Sequence, residues 1–126
     1  MKRVYGVVVA AIFFAPAVVV AGEASLKKGN ELMARGEWKK ALKLLARAAT
    51  KLKEPPKRAQ AFKQLGLAQV ELKNFRAAEE AFSNALTADP LVDVDAKEDS
   101  PRAVSLFRGM RERLDGTLEV TVDRPD

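Results

Sequence analysis

The 126-residue chain contains neither cysteine nor histidine, and only 6% of its residues are aromatic. Without cysteine it cannot form disulfides or supply a thiolate nucleophile, and zinc-finger ligation needs residues that it lacks. Proton relays that depend on histidine are excluded as well. Any chemistry that the chain performs must therefore use carboxylate, hydroxyl or lysine groups. At this length we expect one domain, or one small domain with appendages.

The N-terminal residues have the layout of a secretory signal peptide. Lys2 and Arg3 supply positive charge, and an uncharged, mostly apolar run then extends from Val4 to Gly22. The run ends in small residues, and Ala21 fits the position before a signal-peptidase cleavage site. We therefore expect residues 1–21 to be a signal peptide and the mature chain to be exported, most simply to a bacterial periplasm.

Two alternatives remain for this segment. Cleavage after Ala17 also satisfies the small-x-small rule, and roughly 18 apolar residues could instead stay in place as a membrane anchor. Pro16 breaks a helix near the end of the run, which favours cleavage. Lipidation is excluded because no cysteine follows the run. After cleavage, membrane contact is not expected.

The rest of the chain contains an internal repeat with an offset of 37 residues. Large and small residues recur in the same order in both copies, in five pairs: Gly29 and Gly66, Trp38 and Phe75, Ala41 and Ala78, Leu45 and Phe82, Ala48 and Ala85. Self-similarity at such a period is typical of helical repeat proteins. We therefore expect one structural unit to occur twice.

Each copy has the pattern of two helices. In the second helix of each copy the apolar residues, beginning at Trp38 and at Phe75, recur at intervals of three and four, as on one face of a helix. The first helices are expected over 24–34 and 58–72, and the short polar links at 35–37 and 73–74 favour antiparallel hairpins. Gly29 and Gly66 then fall within helices, where we expect them to allow close approach of the facing helix at Ala41 or Ala78.

These residues resemble the tetratricopeptide repeat (TPR) family. Residues 59–92 look like a complete 34-residue unit, and 22–55 look like a degenerate first unit that lacks the terminal proline. The second copy departs from the family's pattern at Gln69. It carries the pattern at eight positions: Phe62, Leu65, Gly66, Phe75, Ala78, Phe82, Ala85 and Pro90. The first copy carries Gly29, Leu32, Gly36, Trp38, Ala41, Leu45 and Ala48. The resemblance implies an all-α fold of stacked hairpins.

An acidic linker and a fifth helix follow the repeats. Residues 93–99 hold four carboxylates without the glycine and distal glutamate of a calcium-binding loop, so we expect a solvated linker. Ser100 and Pro101 form a helix start, with serine as the N-cap. Apolar residues from Ala103 to Leu114 make one face, and we expect a helix over 100–115 that caps the open end of the second repeat.

The chain ends in residues 116–126, where Leu118, Val120 and Val122 alternate with polar residues in the pattern of a strand. Three interpretations stay open: a disordered tail, a strand that pairs with another molecule, or the first strand of a β-domain outside this chain. The linker, the helix from Ser100 and this strand together resemble a pattern in secreted TPR proteins of myxobacteria and their relatives, some of which continue into a small PEGA-type β-domain.

Charged residues are distributed unevenly along the chain, which has a basic part and an acidic part. The formal net charge is +5, with +7 on residues 22–88 and −4 on residues 89–126. Lys39, Lys43 and Arg47 recur at intervals of four and form an outward stripe, which most simply is a solvated face. The alternative is that this basic face meets an anionic partner, such as a membrane surface or an envelope polymer, or the acidic tail of its own or a neighbouring chain. Nucleic acid is not expected as a partner because no recognition motif is present.

The leading functional hypothesis is a non-enzymatic interaction or scaffold module. By resemblance to the TPR family, a partner segment would lie in the groove lined by the first helix of each unit. Two repeats and one helix are few for a stable solenoid, so the alternative to capping by the fifth helix is that the chain stacks on a second copy or on a partner. The groove residues are then Leu26, Asn30, Met33, Ala34, Gln60, Lys63, Leu67, Val70 and Glu71. Leu26 and Gln64 stand where the family's carboxylate-binding version has Lys and Asn, so capture of a free C-terminus is not expected.

An enzyme that uses carboxylates is the competing hypothesis. Glu37, Glu79 and Glu80 are its candidates, but they fall on outer faces or in turns of the expected helices, where no pocket is implied. No cofactor motif and no metal-ligand spacing accompanies them. We therefore expect no catalytic, cofactor or metal site.

Overall fold

A computed structural model describes residues 21–123 of the protein, with side chains for residues 21–116. The expected signal peptide, apart from its last residue, lies outside the described residues. Five helices make up the described part: α1 over 21–34, α2 Trp38–Lys51, α3 Pro55–Glu71, α4 Phe75–Ala88 and α5 Pro101–Asp123. The expected all-α fold is confirmed, with α1–α2 and α3–α4 as helical hairpins and neighbouring helices packed together.

The 37-residue offset of the sequence recurs in the backbone of the two hairpin turns. Gly36 and Lys73 both have a positive φ, of 75° and 62°. In each turn the next amide then donates a hydrogen bond of 2.9 Å back into the preceding helix, Glu37 N to Leu32 O and Asn74 N to Gln69 O. This is a common C-cap of α-helices. A residue in the left-handed conformation follows the helix, and the amide after it donates to a carbonyl of the last turn. The same turn therefore closes both hairpins.

Glycine allows close packing inside both hairpins, but against different residues from those predicted. A Cβ atom on Gly66 would lie 2.4 Å from Cε1 of Phe82, and a Cβ atom on Gly29 would lie 2.7 Å from Cδ2 of Leu45. The expected neighbours, Ala41 and Ala78, were therefore wrong. The larger side chain one turn further along the facing helix fills the space above each glycine instead.

Helix α3 begins at Pro55, three residues earlier than predicted. The prolines at 55 and 56 occupy the first two positions of α3. The amide groups at these positions would have no partner within the helix, so the missing N–H groups of proline carry no penalty there.

Helix α5 covers the open end of the second hairpin. Phe107 is fully buried and meets the ring of Phe82 edge to face, with 5.4 Å between centroids and 82° between planes. Arg102 lies over the ring of Phe75 at 4.3 Å, and Arg113 pairs with Glu79 at 2.7 Å. Ser100 accepts a hydrogen bond from the amide of Ala103, which confirms the predicted N-cap.

The predicted strand at the C-terminus is wrong. Helix α5 does not stop at Asp115 and Gly116 but continues to Asp123, and no strand occurs in residues 21–123. An isolated strand leaves its backbone hydrogen-bonding groups unpaired, whereas continuation of a helix satisfies them within the segment. Gly116 within the helix costs about 1 kcal/mol relative to alanine, which is too little to end it. No helix in the described part is long and apolar enough to cross a membrane.

The glycine contact gives a prediction about stability. Because Phe82 is fully buried and its ring has little room to move, Gly66→Ala should destabilise the protein by roughly 1–3 kcal/mol. Gly109 provides the control, since it also lies in a helix but a Cβ atom there would meet nothing within 4 Å. Gly109→Ala should be neutral or stabilising, by up to about 1 kcal/mol. Urea denaturation followed by circular dichroism compares the two, and equal effects would contradict this packing role.

Candidate functional site

Two adjoining cavities lie on the face formed by α1 and α3. The first, which we call the linker cavity, has a volume of about 230 Å³ and lies between the end of α1, the start of α2, α3, the linker after α4 and the start of α5. The second, the α1 cavity, has about 560 Å³ and is lined by α1 and by Lys57 of α3. Ala34 lines both, so the two cavities meet at the end of α1.

Six of the nine predicted groove residues line these cavities. Leu26, Asn30 and Ala34 line the α1 cavity, and Met33, Ala34, Leu67 and Glu71 line the linker cavity. The other three lie outside both linings. Val70 is buried in the core, Gln60 is half-buried, and Lys63 donates a hydrogen bond of 3.1 Å to the carbonyl of Asp93 in the linker.

The linker is packed against the helices rather than solvated along its length. Val92 and Val94 are each 8% exposed and belong to the same buried cluster as Phe82 and Phe107. Arg111 of α5 donates to the carbonyl of Val92 and pairs with Asp93 at 3.5 Å. The two valines alternate with exposed aspartates, and this period of two was the signal that sequence reasoning missed.

The linker cavity combines apolar and acidic residues. Its apolar lining comes from Met33, Trp38, Leu67 and Ala103, and its carboxylates are Glu71, Glu98 and Asp99. Trp38, with which the predicted apolar face of α2 begins, is half-buried and lines this cavity. Neither Trp38 nor the two linker carboxylates were among the predicted groove residues, because their position depends on how the linker folds back.

A compact turn fixes the acidic end of the linker. The amide of Asp99 donates to the carbonyl of Asp95, and the amide of Asp95 donates to Oδ2 of Asp99, each at 2.8 Å. The amide of Lys97 donates to Oδ1 of Asp95, also at 2.8 Å. With Ser100 as N-cap of α5, the turn holds the backbone of Glu98 and Asp99 at the edge of the linker cavity.

The α1 cavity contains a buried polar atom without a partner. Oδ1 of Asn30 is buried and accepts no hydrogen bond from any described residue. A buried acceptor without a donor is unfavourable, and this oxygen can accept an N–H group from outside only when the Asn30 side chain turns toward the cavity. At the edge of the same cavity, Lys57 donates to Glu23 at 2.5 Å and joins α3 to α1. This hydrogen bond raises the pKa of Lys57 above its usual value of 10.5.

A third cavity, of about 420 Å³, lies at the start of α3 and the end of α4. It is lined by Lys53 and Arg58 together with Phe62, and the guanidinium carbon of Arg58 lies 5.6 Å from the centre of that ring. None of the nine predicted groove residues lines it.

The carboxylates considered for catalysis lie apart from the two cavities. Glu37 pairs with Lys40 at 3.2 Å, Glu79 pairs with Arg113 at 2.7 Å, and Glu80 is exposed. Among the described residues, no group of three or more acidic side chains is close enough together to hold a metal ion. The α1–α3 face is therefore a surface with two adjoining cavities, which these three carboxylates do not line.

Comparison of the chain with protein-family models, with curated proteins and with solved structures finds no match in any of the three. The functional argument therefore rests on the sequence pattern and on the geometry of the face.

The ion pair at the α1 cavity gives a prediction that titration can check. Glu23→Gln should lower the pKa of Lys57 toward 10.5, because the hydrogen bond to Glu23 is the largest cause of its rise. Glu54→Gln is the control, since Glu54 lies 3.8 Å from the same amine and contributes less. NMR titration of the lysine side chain measures both. An equal or larger shift in the Glu54 variant would contradict the assignment.

The raised pKa of Lys57 also determines how this ion pair changes the stability of the fold with pH. A lysine whose pKa is raised in the folded state contributes stability that is fully present below the unfolded value of 10.5 and is lost as pH rises through the folded value. Both side chains are more than a third exposed, so the contribution is small.

Proposed function

We propose that the protein is a TPR-like, non-enzymatic interaction module that binds an extended or helical segment of a partner along the α1–α3 face. The observation that carries this proposal is the pair of adjoining cavities, which six of the nine groove residues line. Apolar residues with a few polar groups are the usual lining of such sites. The signal-peptide pattern adds that binding takes place after export, in the periplasm.

Asn30 supports a backbone-directed contact. Its side-chain oxygen is buried and unpartnered among the described residues, and the residue lines the α1 cavity together with Leu26. When this side chain turns toward the cavity, a partner backbone that donates one N–H to the oxygen would satisfy it, while an apolar side chain of the same segment packs on Leu26. This combination gives both orientation and apolar burial.

The outer face of α2 supports a second candidate function. Lys39, Lys43 and Arg47 are exposed and have no ion-pair partner among the described residues. Such a stripe would attract an anionic membrane surface or an envelope polymer. Apart from Trp38 at its start, α2 contributes no lining residue to the two cavities, so the two candidates can be separated by position.

Site-specific photo-crosslinking tests the proposal. A benzophenone amino acid is placed at Ala34, where the cavities meet, or at Ala46, an equally small and exposed residue on α2. In the cells that produce the protein, the Ala34 variant should give a discrete adduct with another protein, and the Ala46 variant should not.

Ala46 lies between Lys43 and Arg47 in the chain, so this control also examines the second candidate. Adducts at Ala46 alone would contradict binding at the α1–α3 face and favour the basic stripe. If the Ala34 and Ala46 variants give the same adducts, the crosslinks report random collisions with other proteins and not a binding site. That result would also contradict the proposal.

A further inference from the structure

The linker cavity has an acidic lining that comes from both parts of the chain. Glu71 belongs to residues 22–88, which carry a net charge of +7, whereas Glu98 and Asp99 belong to the acidic residues 89–126, and no lysine or arginine lines the cavity. The side chains of Glu71 and Glu98 form no ion pair or hydrogen bond among the described residues, and the side chain of Asp99 accepts a hydrogen bond from the amide of Asp95. No cationic side chain in the lining therefore balances the negative charge of the cavity.

The size of the cavity limits what can enter it. At about 230 Å³ it is smaller than the pockets that usually hold cofactors or drug-sized ligands, and it is suited to a single long side chain. Met33 and Leu67 supply apolar surface, and Trp38 adds an indole, the aromatic group that attracts cations most strongly. Lysine and arginine combine an apolar stem with a charged end, which matches this lining.

We propose that the linker cavity binds a lysine or arginine side chain of the partner segment, with apolar residues on either side of that basic residue. This inference rests on the proposed function and names the partner's chemistry. The stem packs on Met33 and Leu67, and the charged end lies near Trp38 and the carboxylates of Glu71 and Glu98. Complementary charge selects such a segment against an acidic one, because like charges at this edge repel.

The neighbouring α1 cavity fits the same segment. Because Ala34 lines both cavities, a chain whose basic side chain occupies the linker cavity continues directly past the end of α1. Its next residues then reach Leu26 and Asn30. The partner motif is therefore a basic residue with an apolar residue on each side.

The experiment uses the fluorescence of Trp38, which is the only tryptophan in the chain. The purified full chain is titrated with three capped pentapeptides that share leucine at the positions flanking the centre and differ at the centre: lysine, acetyl-lysine or glutamate. The lysine peptide should change the emission of Trp38 in a saturable way and bind several times more tightly than the other two. Raising the salt concentration should weaken it, because the contact is partly exposed.

Replacing single glutamates by neutral glutamine then shows which carboxylates contact the lysine of the peptide. Glu71→Gln and Glu98→Gln should each weaken binding of the lysine peptide by roughly two- to fivefold, as expected for partly exposed charge pairs. Glu80→Gln removes an exposed carboxylate on α4, outside the cavity, and should leave binding unchanged. Circular dichroism of each variant confirms that it remains folded.

The outcomes separate this inference from the proposed function. If all three peptides bind equally, the face binds segments without selecting charge, so the inference is overturned and the proposed function survives. If no peptide binds while crosslinking at Ala34 still captures a partner, the inference is likewise overturned alone. Equal weakening by Glu71→Gln and Glu80→Gln would show a general charge effect and would also overturn it. Loss of both peptide binding and crosslinking would remove the inference and the proposed function together.

Discussion

The contact between Gly66 of α3 and the ring of Phe82 of α4 sets the spacing on which the rest of the helix packing depends. The ring lies where a Cβ atom of residue 66 would be, so α3 and α4 approach more closely than a larger residue would allow. Phe82 is also the side chain against which Phe107 of α5 packs. One small residue therefore determines where α4 lies, and through Phe82 it determines how α5 closes the end of the hairpin.

The position of α5 in turn fixes the linker that precedes it. Val92 and Val94 enter the buried cluster around Phe82 and Phe107, and Arg111 of α5 holds the carbonyl of Val92. Lys63 of α3 binds the next carbonyl, at Asp93, so the linker lies across one end of the α1–α3 face. The linker converts that end from an open surface into a cavity with an acidic edge. This is the physical basis for expecting a cationic side chain in the partner.

Features that depend on local repetition could be predicted from the sequence. The 37-residue offset, the antiparallel hairpins and the need for glycine at residues 29 and 66 all follow from periodicity and residue size, and the structure contains each of them. The neighbour of each glycine was wrong by one helical turn, because sequence spacing does not define the angle between two helices.

Features that depend on distant contacts could not be predicted in the same way. Trp38 and Glu98 line one cavity although they are 60 residues apart, and only the folding back of the linker brings them together. The helical C-terminus was missed because alternation over a few residues fits a strand locally, while the choice between strand and helix depends on whether a partner strand exists. The burial of Val92 and Val94 was visible as alternation, but the acidic residues between them suggested a solvated segment.

A double-mutant cycle between residues 66 and 82 tests the central packing claim most directly. Gly66→Ala is measured by urea denaturation in the native background and in a Phe82→Ala background, where the ring that would clash is absent. Leucine at position 82 would not serve, because Leu45 has the same place opposite Gly29 and would lie 2.7 Å from a Cβ atom there. We expect a loss of roughly 1–3 kcal/mol in the native background and little or no loss with alanine at position 82, because the substitution at residue 66 then adds only its helix propensity. An equal loss in both backgrounds would contradict this claim.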